Sequence, residues 1–147
     1  MDGAHSHNTL HSAHTTDHLV VVSYNPTSAN KHYNTIRDMA AIEQPDIICF
    51  QEVFSDAYKG KTKFFLKGYD TVFDIKFEDN RNHIIATLFN RKKVSYRELN
   101  VPDRKTPMQV FIVRKGHAMK SFNSQRLRRP AQKMRLRLPS GNHTKTR

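Results

Sequence analysis

The sequence predicts an α/β fold that opens with a parallel strand–helix–strand unit and continues in antiparallel strands. Two short runs rich in β-branched and apolar residues, HLVVVSYN and DIICFQEV, flank a single amphipathic stretch, SANKHYNTIRDMAAIEQP. Near-continuous apolar runs of this kind are what strands buried on both faces look like, and a helix between two of them makes a parallel crossover. The later apolar runs are short and divided by turn residues, the pattern of an antiparallel meander.

The first 18 residues are polar and hold five of the nine histidines, His5, His7, His11, His14 and His18. In a helix the last four would share one face and could hold a metal, but the Gly, Asn, Ser and Thr between them disfavour that helix, so a disordered leader is expected. The first strand should end in a polar turn at Asn25 and Pro26. Tyr33, Ile36, Met39, Ala40 and Glu43 then recur at helical spacing, with a Ser or Asn available as N-cap and Pro45 just beyond the end. After the second strand we expect a short helix ending near Phe64, Phe65 and Leu66. Strands follow at YDTVFDI from Tyr69 and at HIIATLFN from His83, then at VSYRE and QVFIV. From about Lys120 the sequence has few large apolar residues, two prolines and only basic charges, the composition of a tail with no core of its own. The expected organisation is a leader over 1–18, a folded unit over 19–115 and a basic tail over 116–147.

At 147 residues, 37% of them apolar, the chain fits one small domain. No stretch approaches the roughly 18 apolar residues of a membrane helix, and the N-terminus lacks the regions of a signal peptide, so a transmembrane segment is not expected and an intracellular location is. The lone Cys49 sits inside DIICF, which excludes a disulfide within the chain and predicts a buried thiol. The formal charge of +12 is unevenly placed. Residues 1–90 hold 8 Lys and Arg against 11 Asp and Glu, net −3, while residues 91–147 hold 17 against 2, net +15. Such asymmetry points to a basic segment that meets polyanions. There is no internal repeat, no Gly-rich phosphate loop and no Cys or His set at zinc spacing.

Parallel strands deliver their final residues to one edge of the sheet, where ligand sites gather in α/β folds. Asn25 and Glu52 both stand at such ends. An amide oxygen and a carboxylate are hard ligands, the type Mg2+ or Mn2+ takes together with waters and substrate phosphate. The alternative role for Glu52 is to place a negative charge at the start of a helix at VFSDAY. Asp17 and His18 stand at the other end of the first strand, about 23 Å from Asn25 if the stretch is extended. Asn142 and His143, near the C-terminus, have no strand-like run to support them.

These residues carry a family resemblance. VVSYN, followed about twenty residues on by PDIICFQEV, resembles the opening of the endonuclease/exonuclease/phosphatase superfamily, the DNase-like metal-dependent phosphodiesterases. Tyr24 and Asn25 match the aromatic and asparagine that end the family's first strand, and Gln51 and Glu52 match the Gln-Glu that ends the second. GYDTVF and IIATLFNRKKV resemble the next two strands, so the likeness runs from about Leu19 to Val94. It implies a partial αββα-type sandwich, Mg2+ (or Mn2+) held at Glu52 with Asn25 beside it, and a nucleic acid or another phosphate ester as substrate. No Gly-Asp-x-Asn and no Ser-Asp-His element follows, so the resemblance is to the family's N-terminal part. A truncated and weakly active or inactive phosphodiesterase or phosphatase is among the forms it implies.

Arg126, Arg128, Arg129, Lys133, Arg135 and Arg137 form a dense cationic run. Charges of this density bind phosphates in a salt-sensitive, sequence-independent way, and with Phe122 the one nearby ring, base stacking has little support. The run reads equally as a solvated tail or as the product of a shifted reading frame. A non-catalytic nucleic-acid-binding protein acting through this segment is the alternative function.

Overall fold

The computed structural model of the chain describes residues 17–24, 32–53, 66–74, 84–102, 108–124 and 132–139. Among them the order is β1 (His18–Tyr24), α1 (Tyr33–Glu43), β2 (Ile47–Val53), β3 (Tyr69–Phe73), β4 (Ile84–Asn90), β5 (Ser95–Leu99), β6 (Val110–Lys115), β7 (Ala118–Asn123) and β8 (Gln132–Arg137). A five-stranded mixed sheet runs β3-β4-β2-β1-β8, and a three-stranded antiparallel sheet runs β5-β6-β7. The leader to residue 16 and the helix expected before Leu66 lie outside the described residues.

Alternation along the strands sorts side chains into two cores. Ile48 and Phe50 of β2 and Ala86 and Leu88 of β4 face α1, where they meet Ile36 and Ala40. Ile47, Cys49 and Phe89 face the other way and pack with Leu19 and Val21 against Phe111, Val113 and Phe122 of the three-stranded sheet. The Phe89 ring stacks on Tyr96 at 4.0 Å and meets Phe111 edge-on at 4.8 Å, which locks the two sheets together. Cys49 is buried as expected, and burial pushes its thiol well above the usual range.

The helix begins without a side-chain cap at His32 and ends where Gln44 turns left-handed at φ 45°, its N–H donating to the Ala40 carbonyl at 2.9 Å. Lys93 Nζ donates to the Gln44 carbonyl at 2.7 Å, and the Tyr69 hydroxyl donates to that of Pro45 at 2.7 Å. β6 and β7 form a hairpin through Gly116 and His117; the positive φ of 61° at Gly116 supplies the backbone twist that a two-residue loop demands.

The segment expected as a tail departs from that expectation, because it contributes β7 and β8. β8 pairs antiparallel with β1, from His18 opposite Arg137 to Ser23 opposite Gln132. The physical reason is alternation. Met134 and Leu136 point into the inter-sheet core, while Lys133, Arg135 and Arg137 stay exposed. A composition averaged over both faces reads as a basic tail, yet one face of the strand is apolar.

Asp46, at the start of β2, fastens the layers. Its Oδ2 accepts the Val20 amide at 2.8 Å and the Lys115 ammonium at 2.9 Å; its own N–H donates to the Val20 carbonyl, and its carbonyl accepts from Asn90, both at 2.9 Å. Lys115 also donates to the His18 carbonyl at 2.8 Å. Asp46 is 1% exposed and Lys115 8%.

Two predictions follow from this packing. Replacing Lys115 with Met strands a buried carboxylate and should cost about 3–5 kcal/mol in urea denaturation. Adding Asp46→Asn, which keeps an acceptor for the Val20 amide, should recover more than half of that loss, whereas a single-mutant cost under about 1 kcal/mol would show the pair to be solvated. Tyr69 offers a pH test. Burial, chiefly, pushes its phenol up to about 12 from the ordinary 10.0, against a weaker opposing hydrogen bond with Asn90. The unfolded phenol ionises first, so stability should hold below pH 10 and fall as pH rises from about 10 through about 12. Tyr69→Phe should flatten that part of the stability profile, and an unchanged slope would refute the assignment.

Candidate active site

The parallel register of β1 and β2, from Val21 opposite Ile47 to Tyr24 opposite Phe50, brings the carboxyl ends of both strands to one edge of the sheet. β3 ends at the same edge, since it and β2 both run antiparallel to β4, with Phe73 and Phe50 both opposite Ala86. Three strand termini therefore converge where α/β sheets carry their ligands. Asn25 follows Tyr24 in sequence and lies outside the described residues. Glu52 lies within β2.

The ladder breaks at that residue. β2 pairs regularly with β4 up to Phe50 opposite Ala86, and the next pair is Val53 opposite Ile84. Gln51 and Glu52 thus share the span that Ile85 alone fills on the facing strand. An extra residue of this kind bends the strand and takes it out of simple in–out alternation.

The groups behind the edge are well fixed. Gln51 Nε2 donates to the hydroxyl of the fully buried Ser23, tying the end of β1 to the bulge. On the helix side the Tyr24 ring stands edge-on to Phe50 at 6.3 Å. Beside it a cavity of about 220 Å³ opens between β1 and α1, lined by Val22, Tyr24, Thr35, Ile36 and Met39.

Sequence reasoning missed a polar layer between the sheets. Asp74, the residue after β3, is 3% exposed, and its Oδ2 accepts the Met108 amide at 3.0 Å. Next to it Gln109, 1% exposed, accepts from the Thr87 hydroxyl at 2.8 Å and donates through Nε2 to the Val72 carbonyl at 3.1 Å. The Gln109 amide donates to the Ser124 hydroxyl, and the Ser124 amide donates back to the Gln109 carbonyl, both at 2.9 Å. The available signal is position: Asp74 directly follows the strand run YDTVF, and Gln109 directly precedes VFIV. These partners make both residues structural supports of the edge.

Among the described residues no group of three or more His, Cys, Asp or Glu could hold a metal ion. The donor types at Asn25 and Glu52, one amide and one carboxylate, suit Mg2+ or Mn2+ chemistry with water and phosphate completing the shell. His18 sits at the end of β1 remote from Tyr24, so the Asp17-His18 pair is not brought to this edge. Of the cationic run, Lys133, Arg135 and Arg137 lie on β8, which β1 alone separates from β2, and Arg126, Arg128 and Arg129 lie outside the described residues. No helix among the described residues is long and apolar enough to cross a membrane.

No protein-family model and no curated protein matches the chain. Among solved structures it is similar to a humanized D. rerio TDP2 (TM-score 0.48, 13% identity, covering 73% of this chain and 49% of that one), a protein also solved with a single-strand DNA product. It is similar to a functionally unknown conserved protein from Enterococcus faecalis (TM-score 0.49, 13% identity, 71% and 50%) and to the human Nocturnin catalytic domain (TM-score 0.46, 18% identity, 73% and 48%). The chain thus spans half the length or less of each of these, and its structural match to endonuclease/exonuclease/phosphatase-superfamily proteins such as TDP2 and Nocturnin covers about seven tenths of this chain and under half of theirs.

Proposed function

We propose that the chain carries the metal-holding edge of a Mg2+-dependent phosphoric ester hydrolase, with Glu52 as the protein carboxylate on the ion and Asn25 orienting phosphate or water. The observation that carries this reading is the bulge at Gln51 and Glu52, placed where the ends of β1, β2 and β3 meet. Bulges recur next to active sites because they re-aim one side chain without dissolving the sheet. A bound Mg2+ would supply neutralisation of charge on the phosphate oxygens. What the chain's own residues contribute is position. The Ser23–Gln51 hydrogen bond holds the bulge against β1, and the Asp74–Met108 and Gln109–Thr87 contacts hold the edge against the second sheet. Groups so braced keep their geometry as a substrate arrives, which is where positioning catalysis gains its rate. The substrate is a nucleic acid or another phosphate ester.

The test is hydrolysis of an activated phosphodiester and of single- and double-stranded nucleic acid in Mg2+, by the purified chain and its Glu52→Ala variant. Turnover should fall by at least about a hundredfold in the variant and be abolished by chelator, the scale expected when a metal worth several kcal/mol of transition-state stabilisation is lost. Equal rates in the two proteins would rule Glu52 out as the metal ligand.

A further inference from the structure

β8 is an edge strand whose outward face is wholly cationic. Lys133, Arg135 and Arg137 alternate with Met134 and Leu136, which pack into the inter-sheet core, so the three cations form one row on the face of the sheet that also carries α1. Residues two apart in a strand are about 6.7 Å apart, so the row spans about 13 Å. That step is close to the phosphate-to-phosphate distance of an extended single nucleic-acid strand. The groups facing the row are few. Glu43, at the end of α1, takes Lys133 at 2.6 Å in a half-exposed pair, and His18 lies opposite Arg137 in the β1 ladder. No carboxylate among the described residues pairs with Arg135 or Arg137. An exposed ion pair is weak enough for Lys133 to exchange Glu43 for a phosphate.

We infer that the Lys133-Arg135-Arg137 row of β8 is a binding site for the sugar–phosphate backbone of single-stranded nucleic acid. The row is one residue wide and bounded by α1, which suits one extended strand better than a duplex carrying charge on two. No aromatic side chain stands in the row, so binding reads charge and spacing, not sequence. β8 runs antiparallel to β1, and its Gln132 end lies beside Ser23, next to the edge at which β1 and β2 end. A strand lying along the row would therefore run toward that edge. Binding needs no metal, so this inference and the hydrolytic reading fail separately.

The experiment is fluorescence-anisotropy binding of a labelled oligo-dT to the full chain in EDTA, at several salt concentrations between 50 and 200 mM. Three phosphate contacts contribute about −2 to the slope of log affinity against log salt, at roughly −0.7 per contact. Arg135→Gln with Arg137→Gln should make the slope shallower by about 1.4 and weaken binding at 50 mM salt by roughly tenfold or more. Arg135→Lys with Arg137→Lys should keep the slope. Arg97→Gln with Arg114→Gln, the same charge change on exposed residues of the three-stranded sheet, should leave binding near wild type. Glu43→Gln should tighten binding by freeing Lys133. Equal losses in the two glutamine pairs, tighter binding of duplex than of single strand, displacement of oligo-dT by polyglutamate at matched charge, or no binding at 50 mM salt would each overturn the proposal. Thermal melts of every variant separate lost binding from lost fold.

Discussion

The sandwich hangs on one carboxylate. Asp46 Oδ2 receives the amide of Val20 and the ammonium of Lys115, so a single atom connects the first strand of the large sheet, the second strand and the middle strand of the small one. A charge held this far from water is tolerated only when its partners are fixed, and here they are fixed by backbone that belongs to three different strands. The other carboxylate oxygen is buried with no hydrogen-bond partner. Such a group contributes less to net stability than to specificity, because sliding either sheet by one residue would leave the charge unpaired.

The clamp lies at the amino end of β2, and the bulge lies at its carboxyl end. In between, Ile47 to Phe50 are buried on both faces and keep regular pairing with β1. The strand is thus rigid where it crosses the core and irregular only where the ends of β1, β2 and β3 converge. That edge has its own polar support. Gln109 ties its strand to β4 and to β3, and Asp74 receives the backbone just before Gln109. The two polar attachments stand at opposite ends of the sandwich, with the aromatic contacts of Phe89, Tyr96 and Phe111 between the sheets.

The opening βαβ unit was legible because both of its strands are nearly continuous apolar runs and its helix has a clear period; β3 to β6 were legible for similar reasons. β8 was not, although its signal was present. QKMRLR alternates strictly after Lys133, but three cations in six residues dominate any composition count, and the partner that hides Met134 and Leu136 is far away in sequence. In the sequence Asp46 only opens the run DIICFQEV, since nothing in PDI announces a lysine 69 positions later. Of the candidate site, the placing of Glu52 at a strand end could be read from the pattern. The bulge could not, because it is defined by counting residues on the facing strand. Asp74 and Gln109 fall inside the expected strands YDTVFDI and QVFIV, and nothing in those runs announces the partners they take from other strands.

The pairing of β1 with β8 also bears on how the chain folds. β1 is the first strand among the described residues, and its second neighbour in the sheet lies more than a hundred residues later in the chain. Closing a loop of that length is slow compared with forming the local hairpins β3–β4 and β6–β7, so docking of β8 should be a late event. Until then Leu19 to Val22 present an unpaired, apolar edge to solvent, the kind of surface that captures strands from other chains. The three cations of β8 then act in a second way. Once docked, they leave the new outer edge charged, and two copies cannot pair there without placing like charges against one another.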